Sequence, residues 1–147
     1  TLFLIEHQLN SWDNITISKD LAEDMPACHC DSNNFTQVIL NLLENARDAM
    51  PAGGEITIRT AYQNAEKRFV FSVHNTGDPI QEDIRSKIFE PFFTTKEVGK
   101  GTGLGLSIIH GIVTAHDGEI TVESAPGIGT AFTISMPHRQ PPDPSAA

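Results

Sequence analysis

An α+β two-layer sandwich, with helices on one face of a mixed, mostly antiparallel sheet, is the fold class this 147-residue chain predicts. Three observations point there. A long segment ending near Met50 is apolar around most of a helical circumference. Residues 55–60 and 68–73 alternate or run apolar on either side of a polar turn, as a hairpin does. A second helical pattern, 103–116, is stopped by Asp117-Gly118 and leads into two more strand-like runs.

The elements follow in order. Residues 2–9 place Leu2, Ile5 and Leu9 at helical spacing, and Ile15-Thr16-Ile17-Ser18 reads as a strand. Cys28-His29-Cys30 is expected to be a short strand with a half-buried, reduced thiol. Cysteines at i and i+2 are poorly placed for a disulfide, and no second Cys/His pair completes a metal site. Asp31-Ser32-Asn33-Asn34 supplies N-cap candidates for the long helix, and Pro51-Ala52-Gly53-Gly54 ends it. Residues 81–87 form a short helix and 89–101 an irregular segment. Strands 119–124 and 130–136 are joined by Ala125-Pro126-Gly127-Ile128-Gly129. One domain is expected over 13–137, followed by a tail or linker, 138–147, with prolines at 141, 142 and 144.

Composition narrows the partners. Nineteen acidic residues against ten basic ones give a net charge of −9, which argues against nonspecific nucleic-acid or anionic-membrane binding. A small polyanion held at a local site is still compatible. No apolar run approaches the length of a membrane span, and residues 1–20 lack a signal-peptide layout. The expectation is a cytoplasmic chain, whose longer parent is free to be membrane-anchored.

Two patterns carry chemistry. In Val98-Gly99-Lys100-Gly101-Thr102-Gly103-Leu104-Gly105-Leu106-Ser107, glycine falls on every second residue and a helix follows. Such a run is either a flexible loop or an anion site, because glycines admit a ligand to the backbone and first-turn N–H groups have no partner inside the helix. On the long helix, Gln37, Asn41, Glu44, Asn45 and Asp48 share an arc of roughly 100°, with Val38, Ile39, Leu42, Leu43, Ala46, Ala49 and Met50 over most of the rest. An ordinary amphipathic helix is the plain reading. Yet a helix this apolar is largely buried, and two asparagines one turn apart offer oxygens to a hard cation and amide donors to phosphate.

At this point the residues resemble a known family. Asn41-Leu-Leu-Glu-Asn45-Ala resembles the N box of sensor histidine kinases, and Ile88-Phe89-Glu90-Pro91-Phe92-Phe93-Thr94-Thr95-Lys96 their F box. Gly101-Thr102-Gly103-Leu104-Gly105-Leu106-Ser107 resembles their G2 box, and Gly129-Thr130 opens the closing strand. The likeness spans roughly residues 13–137. It implies the Bergerat ATP-binding fold, shared with gyrase, heat-shock chaperone and mismatch-repair ATPases, and the cofactors ATP and Mg²⁺. By resemblance, Asn45 ligates Mg²⁺, and Asn41 and Asp48 line the phosphate side. Lys96 and Lys100 neutralise phosphate charge from a lid. Gly101, Thr102, Gly103, Leu104, Gly105 and Leu106 present backbone N–H groups to phosphate. Phe92 and Phe93 either fasten the lid, help contact the phosphoacceptor domain, or serve as hydrophobic anchors.

The departure lies in the G1 box. The family pattern is Asp-x-Gly-x-Gly, with the aspartate accepting from the adenine amino group; here Asn75-Thr76-Gly77-Asp78-Pro79-Ile80 stands instead. Asn75, Gly77, Ile80 and Thr130 are the expected base-side residues. A neutral acceptor is weaker than a carboxylate, and Pro79 lacks an N–H, so weaker ATP binding than in aspartate-bearing members is expected. The resemblance implies phosphoryl transfer to a histidine on a separate dimerisation domain, then to a response regulator. The family's phosphoacceptor motif is absent, residues 1–12 read as the end of a helix leading in from that domain, and the chain by itself is expected to be monomeric. A gyrase-like ATPase, a serine kinase and a nucleotide-impaired binding module are the alternatives. Asn41 stands where the ATPases carry a glutamate base and cannot take a proton, although Glu44 shares its stripe.

Overall fold

The computed structural model describes residues 2–94, 104–139 and 145. Its elements are α1 (Leu2–Asn10), β1 (Ile15–Asp20), α2 (Ser32–Asp48), β2 (Gly54–Gln63), β3 (Arg68–Asn75), a 3₁₀ turn (Glu82–Lys87), α3 (Gly105–Ala115), β4 (Glu119–Ala125) and β5 (Gly129–Pro137). The strands form one sheet in the order β1-β2-β3-β5-β4, parallel between β1 and β2 and antiparallel elsewhere. The expected two-layer α+β sandwich is the fold observed.

Period-two patterning places the core. Ile56 and Ile58 of β2, Val73 of β3, and Phe132 and Ile134 of β5 are buried on one face of the sheet. That face meets Val38, Leu42, Leu43 and Ala46 of α2, Ile109 and Val113 of α3, and Ile5 and Leu9 of α1. Helix α2 begins at Asp31, whose Oδ1 accepts from the N–H groups of Asn33 and Asn34 at 2.9 and 3.0 Å. Among its predicted buried positions, Val38, Leu42 and Leu43 are 0–1% exposed.

Two expectations change. The run at 28–30 is no strand: it lies in the irregular connection from β1 to α2, where no neighbouring strand offers a ladder to pair with it. Cys28 is exposed and Cys30 half-buried. The short helix expected at 81–87 is present as a 3₁₀ helix, Glu82–Lys87, with none of its residues buried. β2 also runs three residues past its expected end, because register with β3 continues to Gln63 and Arg68.

Asp31→Ala is expected to lower stability by about 1 kcal/mol, since two first-turn N–H groups lose their acceptor, and Ile58→Ala by roughly 2–5 kcal/mol through a core cavity. Urea unfolding of each variant checks both values.

Candidate nucleotide site

The helix-facing side of the sheet is apolar until its last level, where it turns polar. There the register sets Ile56 beside Asn75, Asn75 beside Thr130, and Thr130 beside Ser124, from β2 across to β4. Asn75 and Thr130 are 3% and 2% exposed, the buried polar residues among those described. Burying such groups is costly unless they are hydrogen-bonded, and here they are. The Asn75 Oδ1 accepts from the Gly77 N–H at 2.9 Å. The hydroxyls of Ser124 and Thr130 lie 2.7 Å apart, and the Ile80 N–H donates to Ser124 Oγ at 2.8 Å.

The loop after β3 is tied down on both sides. Its Asp78 N–H donates to the Ala49 carbonyl at the end of α2, 3.0 Å away. Gly77 rides so close to that end that a Cβ there would overlap the Ala49 oxygen. Across the loop, Arg85 donates to the carbonyl of Ser124 and, from Nε and Nη2 at 3.3 Å, to that of Ile80. The missing N–H of Pro79 is thus bridged by bonds from the residues on either side of it. Gly129, at the start of β5, has φ +100° and would drive a Cβ into the Asn75 carbonyl.

The polar arc of α2 joins this end to α3. Asn41 Nδ2 donates to the Gly105 carbonyl at 3.4 Å, and Gln37 Nε2 donates to Asn41 Oδ1 at 3.3 Å. The preceding Leu104 supplies no side-chain cap to α3, and Leu106 packs half-buried against the core. Asn45 lies one turn on from Asn41. Its Nδ2 is buried with no hydrogen-bond partner among the described residues, a state that costs about 1–3 kcal/mol. Asp48 pairs with Arg47 at 3.3 Å, and the Arg47 guanidinium stacks 5.0 Å over the Trp12 ring. From Asn41 to Ala49, eight residues along one helix, the stripe spans about 12 Å.

The structure therefore brings Asn41 and Asn45 to the Gly105 end and Asn75, Gly77, Ile80 and Thr130 to the other, with Asp48 exposed at the loop-side end of the stripe. Lys96, Lys100, Gly101, Thr102 and Gly103 lie outside the described residues. Phe92 and Phe93 part company: Phe93 is half-buried against the core, whereas Phe92 is 75% exposed with φ +67°. Sequence reasoning passed over Ser124 and Arg85. A signal for Ser124 exists, since it breaks the apolar phase set by Ile120 and Val122; Arg85 has no local signature. The Cys28 thiol is pushed up to about 11 by partial burial and by neighbouring Cys30, so the free thiol stays protonated at neutral pH.

Comparison with known proteins decides the family. Residues 30–140 match the family described as "Histidine kinase-, DNA gyrase B-, and HSP90-like ATPase". The chain belongs to this family. Sensor kinase CckA of Brucella abortus is 46% identical over 84% of the chain, which spans 14% of that kinase. The nucleotide-free catalytic domain of histidine kinase ThkA superposes with a TM-score of 0.79 at 34% identity, covering 93% of this chain and 87% of that one. Full-length ShkA in complex with AMPPNP gives 0.80 at 27% identity, over 97% and 29% of the two chains. ThkA is also known in complex with response regulator protein TrrA, matching at 0.72 and 28% identity over 94% and 38%. Within that family, the chain is similar to the catalytic domains of histidine kinases.

Gly129→Ala is expected to cost roughly 1–3 kcal/mol, because it combines a positive φ with a clash against Asn75. At about 2–4 °C per kcal/mol for a domain of this size, a thermal melt resolves the loss.

Proposed function

We propose that the domain binds ATP with Mg²⁺ along the polar arc of α2, and passes the γ-phosphoryl group to a histidine on a separate dimerisation domain in two-component signalling. The observation that carries this reading is the unpartnered Asn45 Nδ2, buried on a stripe running from the α3 N-terminus to the Asn75 row. A ligand group along that stripe that accepts from the Asn45 Nδ2 relieves a cost the ligand-free protein otherwise bears.

The donor set fits the metal. Mg²⁺ takes few protein oxygens and completes its shell with phosphate and water, so one neutral amide oxygen, from Asn45, is a sufficient protein share. When bound, it supplies charge neutralisation of the transferring phosphoryl group. The remaining work belongs to this chain. Asn41 holds the phosphate end beside Gly105, Leu104 and Leu106; Lys96 and Lys100 supply charge to the phosphates, and Gly101, Thr102 and Gly103 supply backbone N–H groups. Asp48 flanks the stripe. Asn75, Gly77, Ile80 and Thr130 seat the base. Because Asn41 cannot accept a proton, the stripe lacks a base at that position to activate water, which favours transfer over hydrolysis.

In the same reading, α1 leads in from the dimerisation domain, residues 13–137 are the kinase unit and 138–147 a linker. The chain alone is a cytoplasmic monomer without nucleic-acid or direct membrane contacts, and a response regulator takes the phosphoryl group next. No described helix is long and apolar enough to cross a membrane. The exposed Phe92 is a contact for the phosphoacceptor domain.

Incubation with radiolabelled ATP, Mg²⁺ and the purified histidine domain of the parent kinase tests the assignment. Asn45→Ala is expected to reduce transfer by about 100-fold or more, with no loss of melting temperature, since the variant removes the orphaned amide. Equal transfer in the variant, or phosphate release without transfer, overturns it.

A further inference from the structure

The amide of Asn75 has a fixed orientation. Its Oδ1 accepts from the Gly77 N–H at 2.9 Å, and reversal would set the Nδ2 protons against that N–H, donor facing donor. The side chain is 3% exposed, Gly129 packs against its backbone, and Gly77 is held by α2 packing, so the pairing is rigid. The end of the amide turned away from Gly77 is therefore a donor. A carboxylate in this position would make the same bond with one oxygen and leave a second acceptor at the other end.

That difference changes which base edge fits. A second carboxylate oxygen matches the 6-amino group of adenine and repels a 6-carbonyl. An N–H donor there matches a 6-carbonyl, and matches adenine only through its ring N1. Thr130 and Ser124, whose hydroxyls both donate and accept, complete the row without restoring a preference. We propose that Asn75 is a specificity-determining residue that opens the base subsite to 6-oxopurine nucleoside triphosphates on a par with ATP. The inference rests on the nucleotide-site reading above and adds a substrate class to it.

Calorimetric titration of the chain with ATP and, separately, ITP in Mg²⁺ tests it, because the two bases differ at the 6-position and the N1 proton alone. The wild-type chain is expected to bind ITP within about threefold of ATP, whereas Asn75→Asp shifts the ratio toward ATP on the order of tenfold. A wild-type preference for ATP above tenfold, or a ratio unmoved in Asn75→Asp with an unchanged melt, overturns the inference and leaves the nucleotide site standing. Binding of neither triphosphate by the folded chain overturns both.

Discussion

The burial of α2 is the constraint on which the rest depends. Its apolar arc is gripped by the sheet and by α3, with Leu42 and Leu43 at 1% and 0% exposure. A helix held that way cannot roll, so the opposite arc is fixed as well. Asn41 and Asn45 lie at set positions one turn apart, and the end of the helix is pinned through Ala49 to the loop after β3. Apolar packing, the least specific of the forces here, thereby positions the most specific groups.

The sheet contributes the second fixed point. Side chains that are direct neighbours in register share a face, so one polar residue per strand at the same level makes a continuous row: Asn75, Thr130, Ser124. The row holds because backbone fits closely around it. Gly129 and Gly77 each stand where a Cβ would strike a neighbouring carbonyl. Arg85 then ties the far side of the loop to β4. In the row the Asn75 oxygen and the Ser124 and Thr130 hydroxyls have partners, whereas on the stripe the buried Asn45 Nδ2 has none among the described residues.

Much of this architecture is legible in the sequence. The α2 arc, the hairpin, the α3–β4–β5 succession and β1 as a strand follow from periodicity and turn residues, because in each the pattern is local. What is not legible depends on contacts between distant segments. The 28–30 run has strand-like residues, yet only a ladder partner makes a strand, and none is offered there. The polar row is visible as three separate breaks in apolar alternation, at 75, 124 and 130, but their convergence requires the β3-β5-β4 order, which reverses the chain order of its last two strands. The fixed amide of Asn75 depends on Gly77 being drawn toward α2, a tertiary effect. The glycine-rich segment and its lysines, conspicuous in sequence, are where the described structure adds least, since it resumes only at Leu104.

Electrostatics gives the neutral amides their meaning. The chain carries −9, and an anionic ligand approaching it meets net repulsion. Two unit charges 4 Å apart at an effective dielectric of about 20 interact by about 4 kcal/mol, so an aspartate at 41 or 45 would oppose a polyphosphate strongly. Asparagine keeps the oxygen that a cation needs and adds a donor that phosphate accepts, without the charge. Of the stripe's two carboxylates, Glu44 is half-buried and Asp48 is paired with Arg47. The nearby arginines are already engaged, Arg47 with Asp48 and Trp12, Arg85 with backbone carbonyls. On the proposed reading, the described residues thus leave the positive charge for a triphosphate to the ligand's metal and to groups outside them. The described part of the site is then a neutral mould, whose shape is set by α2 burial and whose charge balance is set by the ligand.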